Sequence, residues 1–502
     1  MSGIVRAVLD AAERDGARPA IIFGEERVSY SQLCARSAAV AGALRERAAG
    51  EETLALLCGN APEFAYGVLG ARWAGKRVAL LPTLAPAPML AMMCAEVGAK
   101  VALVSRELAP KAKEAALTAI EIEGAAETGQ SGGVAGWPSA LHESQVTSHE
   151  PRGASDHSAA IILYTSGSTG RPKAVLLSEE NVLSNVQGCI EAMKFTRDEV
   201  MLAILPLFHS YGLTVTLLLP LTLGARTVIE KFSPRAVLGA IEKHRVTALI
   251  AVPSQYRLLA KDPMAVDVGS LRFCIAGAER LPELVGRDFE TRFGKAILQG
   301  YGCTETSPVI AINPPWANKS ESVGPPLPNI RVTIRENWVE VPRGEQGEIC
   351  VEGPSVMLGY HNQPEATADK MRDGVLRTAD RGFLDADGYL HIAGRADDML
   401  KVAGEKIYPA EVEQAIEQIA GVEEAAVIGV PDDVRGVALL AYVQPKAGAV
   451  LNEAMLRAGA RERLEAIKVP RSFEIVEQLP RTPTGKLDKK NLGESGKGKS
   501  EN

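Results

Sequence analysis

A loop of small and hydroxylated residues followed by a lysine is the strongest chemical signal in the sequence. It lies within LYTSGSTGRPKAVLLS and consists of Thr165, Ser166, Gly167, Ser168, Thr169, Gly170 and Lys173. Small residues let backbone N–H groups approach phosphate oxygens, while hydroxyls and a lysine add donors and positive charge. The Walker pattern GxxxxGK[ST] is absent from this loop. We therefore predict a polyphosphate-binding loop of another type, with a plain strand-to-helix turn as the alternative.

The elements that position this loop predict an α/β architecture. An apolar strand leads into the loop, and a helix is predicted to begin near Ser178. Upstream, residues 19–23 (PAIIF) and 53–58 (TLALLC) are apolar runs of strand length. Ser29 and Gln32 have the spacing of a capping box, which predicts a helix between the two runs. Apolar strands that alternate with capped helices predict a parallel sheet covered on both faces.

The rest of the chain changes character twice. Asn60 and Glu63 are predicted to cap another helix, and the strand–helix alternation continues beyond it. Residues 124–158 are rich in Gly, Ser, Glu and His, and they are predicted to form a surface loop. Residues 323–393 contain short alternating segments with Gly and Pro, which predict an antiparallel sheet. The last hundred residues predict a small unit of their own, with a helix that begins at Pro409.

Composition and charge limit the class of protein. The chain has 502 residues, of which 46% are hydrophobic and 23% charged, as in ordinary globular proteins. At roughly 150 residues per domain, this length predicts about three compact units, or one large domain and a smaller one. The 55 basic and 62 acidic residues give a net charge of −7, which argues against nucleic acid as the main partner.

Cysteine usage and hydropathy predict a soluble cytoplasmic protein without a transmembrane segment. The seven cysteines form neither CxxC pairs nor Cys/His clusters, so neither a disulfide framework nor a zinc site is indicated. The start of the chain has no apolar core of the signal-peptide type. The longest apolar stretch, around residues 213–221, falls short of the roughly 20 residues that span a bilayer.

Five motifs in order identify a family. They are residues 164–173, 299–308 (QGYGCTETSP), 377–398 (RTADRGFLDADGYLHIAGRADD), 401–413 (KVAGEKIYPAEVE) and 480–492 (PRTPTGKLDKKNL). Together they resemble the acyl-adenylate-forming superfamily, and the resemblance covers almost the whole chain. This superfamily includes acyl-CoA synthetases, aryl-CoA ligases, nonribosomal adenylation domains and luciferases.

The resemblance implies both a fold and a reaction. The implied fold is α/β: a large N-terminal lobe of doubly wound mixed sheets with a small antiparallel barrel-like subdomain, then a small mobile α+β domain. We place the large lobe at residues 1–396, the small domain at 397–492 and a disordered tail at 493–502. The implied reaction joins a carboxylate to ATP as an acyl adenylate, releases pyrophosphate, and then lets a thiol attack the activated carbonyl.

The resemblance assigns the phosphates and the sugar of ATP to separate residues. The loop that ends at Lys173 would hold the β- and γ-phosphates, and Glu305, next to Thr304, would be a Mg2+ ligand. A hard cation that bridges phosphates prefers oxygen ligands, which suits glutamate. Asp380 would accept hydrogen bonds from both ribose hydroxyls, and Arg395 would contact the same sugar. The family commonly has glycine where this chain has Ala379.

The adenine ring is assigned to two short segments. Residues 276–279 (AGAE) follow a predicted strand and resemble the stretch that flanks adenine, which implicates Gly277, Ala278 and Glu279. Tyr301 would stack against the ring, with a buried core role as the alternative. Gly302 follows it in the same nucleotide segment.

The small domain is expected to contribute one catalytic lysine and a hinge. Lys486 matches the lysine that bridges the acyl carboxylate and the α-phosphate, where it would stabilise the charge of the adenylation transition state. Asp397 lies at the position of the hinge about which the small domain turns between the two reactions. After the turn, the face with Lys401 and Gly404 would approach the site, and Gly404 would leave room for the pantetheine arm.

The acyl site is predicted from the segment PLFHSYG. His209 would line this site. Relatives that activate amino acids usually have an aspartate at this position, which pairs with the ammonium group of the substrate. Its absence here argues against an amino acid. The expected pocket wall is small or neutral and consists of Pro253, Ser254, Tyr256, Gly302 and Cys303. We therefore favour a fatty acid, with an aromatic acid as the alternative.

The acceptor thiol and further partners follow from the same resemblance. ATP, Mg2+ and CoA are the expected cofactors and cosubstrates. Ile467 stands where many CoA users have an aromatic residue, so an acyl carrier protein stays open as the alternative acceptor. A homodimer also stays open. A binding module that had lost catalysis would show damage in the motifs, and their charged residues are intact.

Overall fold

The structure is a computed structural model that describes residues 3–123, 158–165, 172–395, 399–402, 405–432, 436–481, 487–489 and 491–492. Within these ranges the strands assemble into separate sheets of eight, seven, six, three and two strands. Every helix in these ranges falls short, in length or in apolar character, of what crossing a bilayer requires. All seven cysteines are free thiols.

The helices alternate with strands through most of the chain. They are α1 (Gly3–Asp15), α2 (Tyr30–Arg47), α3 (Pro62–Trp73), α4 (Ala87–Glu96), α5 (Ala109–Glu114), α6 (Glu179–Met193), α7 (Leu219–Leu223), α8 (Pro234–His244), α9 (Pro253–Lys261), α10 (Glu283–Phe293), α11 (Pro364–Lys370), α12 (Pro409–Glu417) and α13 (Glu453–Arg461). Short 3-10 turns lie at Arg106–Leu108 and Thr304–Thr306, and Gly212–Leu218 forms a π-helix.

The strands are short, and most of them are apolar. They are β1 (Pro19–Phe23), β2 (Glu26–Ser29), β3 (Thr53–Leu57), β4 (Arg77–Leu80), β5 (Val101–Val104), β6 (Thr118–Glu121), β7 (Ala159–Thr165), β8 (Lys173–Ser178), β9 (Val200–Ala203), β10 (Arg226–Ile229), β11 (Ala248–Ala251), β12 (Phe273–Ala276), β13 (Leu298–Gly302), β14 (Val309–Ile312), β15 (Arg331–Glu336), β16 (Val339–Glu340), β17 (Gly347–Glu352), β18 (Gly359–Tyr360), β19 (Met371–Arg372), β20 (Val375–Leu384), β21 (Leu390–Arg395), β22 (Leu400–Val402), β23 (Glu405–Ile407), β24 (Val422–Asp432), β25 (Gly436–Pro445) and β26 (Ser472–Ile475).

Two helix starts confirm the local sequence signals. At α2 the backbone N–H of Gln32 donates to Ser29 Oγ at 3.2 Å, and the Gln32 side chain accepts from the Ser29 N–H at 2.9 Å. The same reciprocal bonds join Ser178 and Asn181 at the start of α6, at 3.0 and 2.8 Å. Each capping box satisfies backbone groups that would otherwise lack a partner in the first turn.

The predicted Asn60 cap is wrong. Helix α3 begins at Pro62, after Ala61, and no side chain caps it. The Asn60 amide instead donates to the carbonyl of Leu205 at 2.7 Å, and its oxygen accepts from the N–H of Leu207 at 3.0 Å. Asn60 therefore fixes the segment after β9, because a side-chain amide can satisfy two backbone groups of a chain that has left its sheet.

The eight-stranded sheet has the order β14-β13-β12-β11-β9-β10-β1-β2. The six strands from β13 to β1 run parallel, and only the outer strands β14 and β2 are antiparallel to their neighbours. Strands β9, β11 and β12 are buried along their whole length, which explains their continuous apolar sequences. From β9 the chain passes to β10 on one side and then to β11 on the other, so the strand order switches direction there.

Two further sheets complete the large part of the molecule. The seven-stranded sheet has the order β18-β8-β7-β4-β3-β5-β6, with a parallel run from β7 to β6. The six-stranded sheet is antiparallel and is built around β15, β17 and β20. The prediction of α/β lobes with an added antiparallel subdomain is thus confirmed.

Strand β8 was missed by the sequence reading. It pairs antiparallel with β7, with Thr165 opposite Lys173, and it separates the loop from helix α6. The lysine therefore begins a strand and does not stand in a turn that leads directly into a helix. The helix start at Ser178 was nevertheless correct, because the capping box acts locally.

The last part of the chain, strands β22–β26 with helices α12 and α13, is called the C-terminal unit. Its buried apolar residues form their own clusters, one of which includes Val412, Ile416 and Val427. The predicted strands near Ala426 and Leu439 and the helix from Pro409 are present. The predicted boundary at residues 396 and 397, the loop 124–157 and the tail 493–502 lie outside the described residues.

Candidate active site

The segments that follow strands of the eight-stranded sheet meet at one edge of that sheet. They are residues 205–211 after β9, the start of α9 after β11, residues 277–279 after β12 and residues 303–305 after β13. The carboxyl ends of parallel strands lie on the same side, and ligand crevices form where the strand order switches, which is here between β9 and β11. The predicted acyl, adenine and magnesium residues therefore share one edge.

Tyr301 and Asp380 are brought together from distant parts of the sequence. The Tyr301 hydroxyl donates to Asp380 Oδ2 at 2.5 Å, across 79 residues of chain. Burial raises the pKa of Tyr301 well above its usual value, and the Asp380 carboxylate raises it further. The phenol therefore stays protonated and acts as a donor. This bond joins the two residues that were predicted to hold adenine and ribose.

Asp380 also lies opposite Arg395 in the β20–β21 hairpin. The two residues are cross-strand partners, and Arg395 Nε lies 3.8 Å from Asp380 Oδ1. The side chain of Asp380 is nearly buried, while that of Arg395 is about half exposed at 53%. Strand register therefore brings together the two residues that are assigned to the sugar, because directly opposed residues of an antiparallel pair have neighbouring side chains.

Ala379 adopts a backbone conformation that favours glycine. Its φ is 67°, in the left-handed region, and its side chain is buried. The N–H of Asp380, the next residue, donates to Thr378 Oγ1 at 3.1 Å and fixes the turn. The departure from glycine at this position therefore adds backbone strain without touching the carboxylate.

Glu305 contacts a tyrosine that the sequence reading did not single out. The Tyr360 hydroxyl donates to Glu305 Oε1 at 2.7 Å, and Lys173 Nζ lies 5.0 Å from the centre of the same ring. Burial and the Glu305 carboxylate raise the pKa of Tyr360, so its hydroxyl remains a donor. Tyr360 thus connects the predicted phosphate lysine with the predicted metal ligand.

Strand pairing explains how Tyr360 reaches this position. It lies on β18, which pairs with β8 and sets Tyr360 opposite Val175, two residues after Lys173. Its hydroxyl then meets the 3-10 turn Thr304–Thr306 at the end of β13. The only local signal was an aromatic residue after glycine in a turn-rich region, which did not reveal this cross-sheet pairing.

The segment after β9 reaches the same turn from the other side. Ser210 Oγ lies 3.2 Å from Thr304 Oγ1, and His209 precedes Ser210 directly. The His209 ring packs on Phe208 with 4.7 Å between ring centres. The residue predicted to line the acyl site is therefore next to a residue that contacts the neighbour of Glu305.

Tyr211 and Gly277 form the next contact along this edge. A Cβ atom on Gly277 would lie 2.9 Å from the Tyr211 ring, so glycine is required for this approach. The Tyr211 hydroxyl is buried and has no hydrogen-bond partner among the described residues. Burial raises its pKa, which keeps it a neutral donor. Ala278 and Glu279 follow Gly277, and Ala278 is exposed with φ 70°.

Gly302 is constrained by its own backbone neighbours. A Cβ atom there would lie 2.0 Å from the carbonyl oxygen of Pro308. The N–H of Cys303 donates to that same oxygen at 3.0 Å. Gly302 therefore lets β13 and β14 close tightly, which is a structural reason for the glycine in addition to any contact with nucleotide.

The expected pocket wall is only partly supported. Tyr256 is fully buried, its hydroxyl donates to the carbonyl of Leu249 at 2.8 Å, and its ring packs edge-on against Phe289. Tyr256 is therefore a core residue, and its assignment to the wall is wrong. Cys303 is half-buried next to Glu305, and burial raises the pKa of its thiol.

Several predicted site residues lie outside the described residues. They are Ser166, Gly167, Ser168, Thr169, Gly170, Asp397, Gly404 and Lys486. Thr165 ends β7, and Lys401 lies on β22, where its backbone pairs with Lys406. In the described part of the chain, no group of three or more His, Cys, Asp or Glu side chains forms a metal cage. A single carboxylate such as that of Glu305 suits a hard cation whose other ligands are phosphate and water oxygens.

Comparison with known proteins places the chain in one family. The family model of the AMP-binding enzymes matches residues 8–361, and that of the AMP-binding enzyme C-terminal domain matches residues 411–486. The chain belongs to the AMP-binding enzyme family.

Two curated relatives share more than a third of the aligned residues. The long-chain-fatty-acid–CoA ligase of Bacillus subtilis is 39% identical over 345 residues, which cover 67% of this chain and 62% of the ligase. A feruloyl-CoA synthase of Amycolatopsis is 39% identical over 334 residues, which cover 65% of this chain and 68% of the synthase. The aligned region thus spans about two thirds of the length of these relatives.

Solved structures agree over nearly the whole chain. ATP-bound MatB from Rhodopseudomonas palustris superposes with a TM-score of 0.86 at 30% identity, over 98% of this chain and 99% of MatB. The o-succinylbenzoate CoA synthetase MenE of Bacillus subtilis, in complex with ATP and a magnesium ion, superposes with a TM-score of 0.83 at 27% identity. That match covers 97% of this chain and 99% of MenE.

Proposed function

We propose that this protein activates a carboxylic acid with ATP to an acyl adenylate, releases pyrophosphate, and then transfers the acyl group to CoA. One observation carries the proposal: the segment from Tyr301 to Glu305 contacts Asp380 at one end and Tyr360, beside Lys173, at the other. A nucleotide with its ribose at Asp380 and its terminal phosphates at Lys173 would lie along this segment. The CoA ligase names of the relatives support the same activity.

The charges of these residues suit the first half-reaction. The acyl carboxylate and the α-phosphate are both anionic, so positive charge must offset their repulsion before they meet. Lys173 would stabilise the leaving pyrophosphate, and Lys486 would bridge the two reacting groups. Glu305 would hold Mg2+, which supplies further neutralisation of the phosphates. Tyr360 orients the Glu305 carboxylate through its hydrogen bond.

A fatty acid is the substrate class that we favour. The π-helix Gly212–Leu218, which begins just after Tyr211, is entirely buried and apolar apart from two threonines. This helix packs into the core just after the His209 segment, so the surroundings of that segment are apolar. Apolar surroundings suit an alkyl chain, whose burial is favourable by roughly 0.8 kcal/mol per methylene. The relative from Bacillus subtilis that is named for long-chain fatty acids supports this choice.

A hydroxylated aromatic acid is the second candidate. It is favoured by the buried Tyr211 hydroxyl, which has no partner within the described residues and would gain one from a polar substituent. The variant Tyr211→Phe separates the candidates. It should lower activity with a hydroxyaryl acid roughly tenfold, and it should leave activity with fatty acids unchanged.

The acceptor and the cellular location belong to the same proposal. Ile467 is half-buried and packs on the core of the C-terminal unit, which leaves no aromatic surface there for the CoA adenine. CoA is the favoured thiol, with a phosphopantetheinylated carrier protein as the alternative. The free cysteines support a reducing compartment, for which we propose the cytoplasm.

A screen of ATP–pyrophosphate exchange with fatty, aryl and amino acids tests the proposal. We expect exchange with fatty acids, and the product with CoA should have the mass of a thioester. Lys486→Ala should abolish exchange but spare thiol transfer from a supplied acyl adenylate. Exchange with none of the acids would overturn the proposed activity. Equal loss of both half-reactions would overturn the role of Lys486.

A further inference from the structure

A carboxylate-rich face of the C-terminal unit contacts the large part of the molecule at helix α9. Arg257 Nη1 lies 2.6 Å from Glu424 Oε2, and Lys261 Nζ lies 2.5 Å from Glu423 Oε1. Nearby, Arg280 Nη1 lies 3.5 Å from Glu417 Oε2. In each of these pairs, the C-terminal unit supplies the carboxylate and the large part supplies the cation.

The pair between Arg257 and Glu424 is both close and buried, whereas Glu423, which is equally buried, lies 3.9 Å from the same guanidinium nitrogen. The Arg257 side chain is 14% exposed and that of Glu424 is 10%, whereas the Lys261 side chain is 56% exposed. An exposed pair contributes little because water screens it. Removing one partner of a buried pair leaves an uncompensated charge, so a buried pair fixes geometry much more strictly.

Glu424 makes a second contact within its own unit. Arg481 Nη2 lies 2.8 Å from Oε1 and 2.6 Å from Oε2 of the same carboxylate. The backbone of Arg481 forms an antiparallel bridge with Leu487, the residue after Lys486 in sequence. One carboxylate therefore binds helix α9 on one side and the base of the lysine-bearing segment on the other.

Helix α9 is itself part of the site framework. It begins at Pro253, directly after β11, beside the point where the strand order of the eight-stranded sheet switches. A contact on this helix thus fixes the position of the C-terminal unit relative to the strand ends that carry the predicted acyl and nucleotide segments. Among the described residues, Glu424 is the one carboxylate of the C-terminal unit within hydrogen-bond distance of Arg257.

We propose that Glu424 is a positioning residue for the adenylation half-reaction, because it holds the C-terminal unit on Arg257 in the orientation that adenylates the acid. This inference rests on the proposed function. Adenylation requires a cation placed accurately between two anions, and a misplacement of about 1 Å can cost roughly a hundredfold in rate. In the scheme of two orientations that the family resemblance implies, thiol transfer would use the other orientation and would not require the contact.

The test measures both half-reactions of the full-length protein separately. The first assay is ATP–pyrophosphate exchange with dodecanoic acid, and the second is CoA thioester formation from synthetic dodecanoyl adenylate. The variants are Glu424→Gln, Arg257→Gln and the charge-retaining Arg257→Lys. The matched control is Glu411→Gln, which removes a carboxylate that pairs with Lys468 inside the C-terminal unit.

We expect Glu424→Gln and Arg257→Gln to slow exchange ten- to hundredfold, on the order of the loss from a misplaced group, and to leave thioester formation within about twofold. Arg257→Lys should recover part of the exchange rate, and Glu411→Gln should match the wild type in both assays. The double variant should be no slower than either single variant, because the two residues act as one unit.

Other outcomes would overturn the inference. Equal loss in both assays with a lower Tm would assign Glu424 to folding alone, and loss confined to thioester formation would assign the contact to the other orientation. Unchanged exchange would remove any positioning role. A wild-type protein that exchanges with no acid would instead refute the proposed function, and the two failures are therefore distinguishable.

Discussion

The hydroxyl of Tyr360, on β18, lies 2.7 Å from a carboxylate oxygen of Glu305, in the turn after β13, although the two residues are 55 positions apart. The same ring lies beneath the ammonium group of Lys173. One tyrosine therefore sets the position of Lys173 relative to Glu305. The motifs assign Lys173 to the phosphates of ATP and Glu305 to the Mg2+ ion that accompanies them.

Tyr360→Phe should weaken metal use without unfolding the protein. The ring remains for Lys173, but Glu305 loses the hydrogen bond that orients it, and such losses typically cost roughly ten- to hundredfold in metal affinity. We expect the Mg2+ concentration for half-maximal exchange to rise at least about tenfold. Tyr389→Phe is the control, because its hydroxyl donates to the exposed carbonyl of Ala317. An unchanged Mg2+ requirement would contradict the role of Tyr360.

Asp380→Asn should affect ATP more than the acid. The amide keeps the shape of the side chain but loses the charge-assisted hydrogen bonds, each worth about 1.5–3 kcal/mol. Steady-state kinetics should give a KM for ATP that is raised roughly ten- to hundredfold, with the KM for the acid nearly unchanged. Asp387→Asn, which alters an exposed partner of Lys319, should change neither value. A matching rise in both KM values would count against a ribose site at Asp380.

Two alanines in the left-handed region should respond differently to glycine. Ala278 is exposed at φ 70°, so Ala278→Gly should relieve strain and raise the free energy of unfolding by about 0.5–1 kcal/mol. Ala379 is buried at φ 67°, and the lost burial of its methyl group should offset the same gain. Denaturant unfolding of both variants checks the contrast, and a larger gain at Ala379 would contradict it.

Glu417 should make stability depend on pH. Its pKa is raised from 4.5 to about 7, chiefly by burial, with Arg280 opposing the rise and Glu413 and Glu424 adding to it. Because the folded-state pKa lies above the unfolded value, this contribution to stability is present below pH 4.5 and is lost as pH rises through 7.

The variant Glu417→Gln isolates this effect. It should flatten the decrease of Tm between pH 5 and pH 8, in calorimetric scans, relative to the wild type. Glu411→Gln alters an exposed carboxylate of the same unit and should retain the wild-type slope. A Glu417→Gln profile that runs parallel to the wild type would refute this assignment of the titrating group.

Local signals predicted the elements well, because their causes lie within a few residues. The capping boxes at Ser29 and Ser178 each depend on a partner three residues away, and both helix starts were correct. Asn60 had the same local pattern, but two backbone groups of the segment after β9 competed successfully for its amide. That competition depends on tertiary contact across 145 residues and more, which no local pattern contains.

The residues of the candidate site could be predicted only where they belong to one of the family motifs. Asp380 and Arg395 were assigned together, and strand register explains why they are neighbours. Tyr360 and Glu424 were missed, since each acts through a partner far away in sequence and neither residue type reveals that partner. Tyr256 was misassigned because residue type alone does not tell a ring that faces the pocket from one that packs on Phe289.

The position of Arg395 at the end of β21 has a mechanical consequence. Only four residues separate it from Leu400, where the next strand begins. Any rotation of the C-terminal unit about this point of the chain would have its axis beside Arg395, where displacements are smallest. A rearrangement of the C-terminal unit would therefore disturb the Asp380–Arg395 pair little.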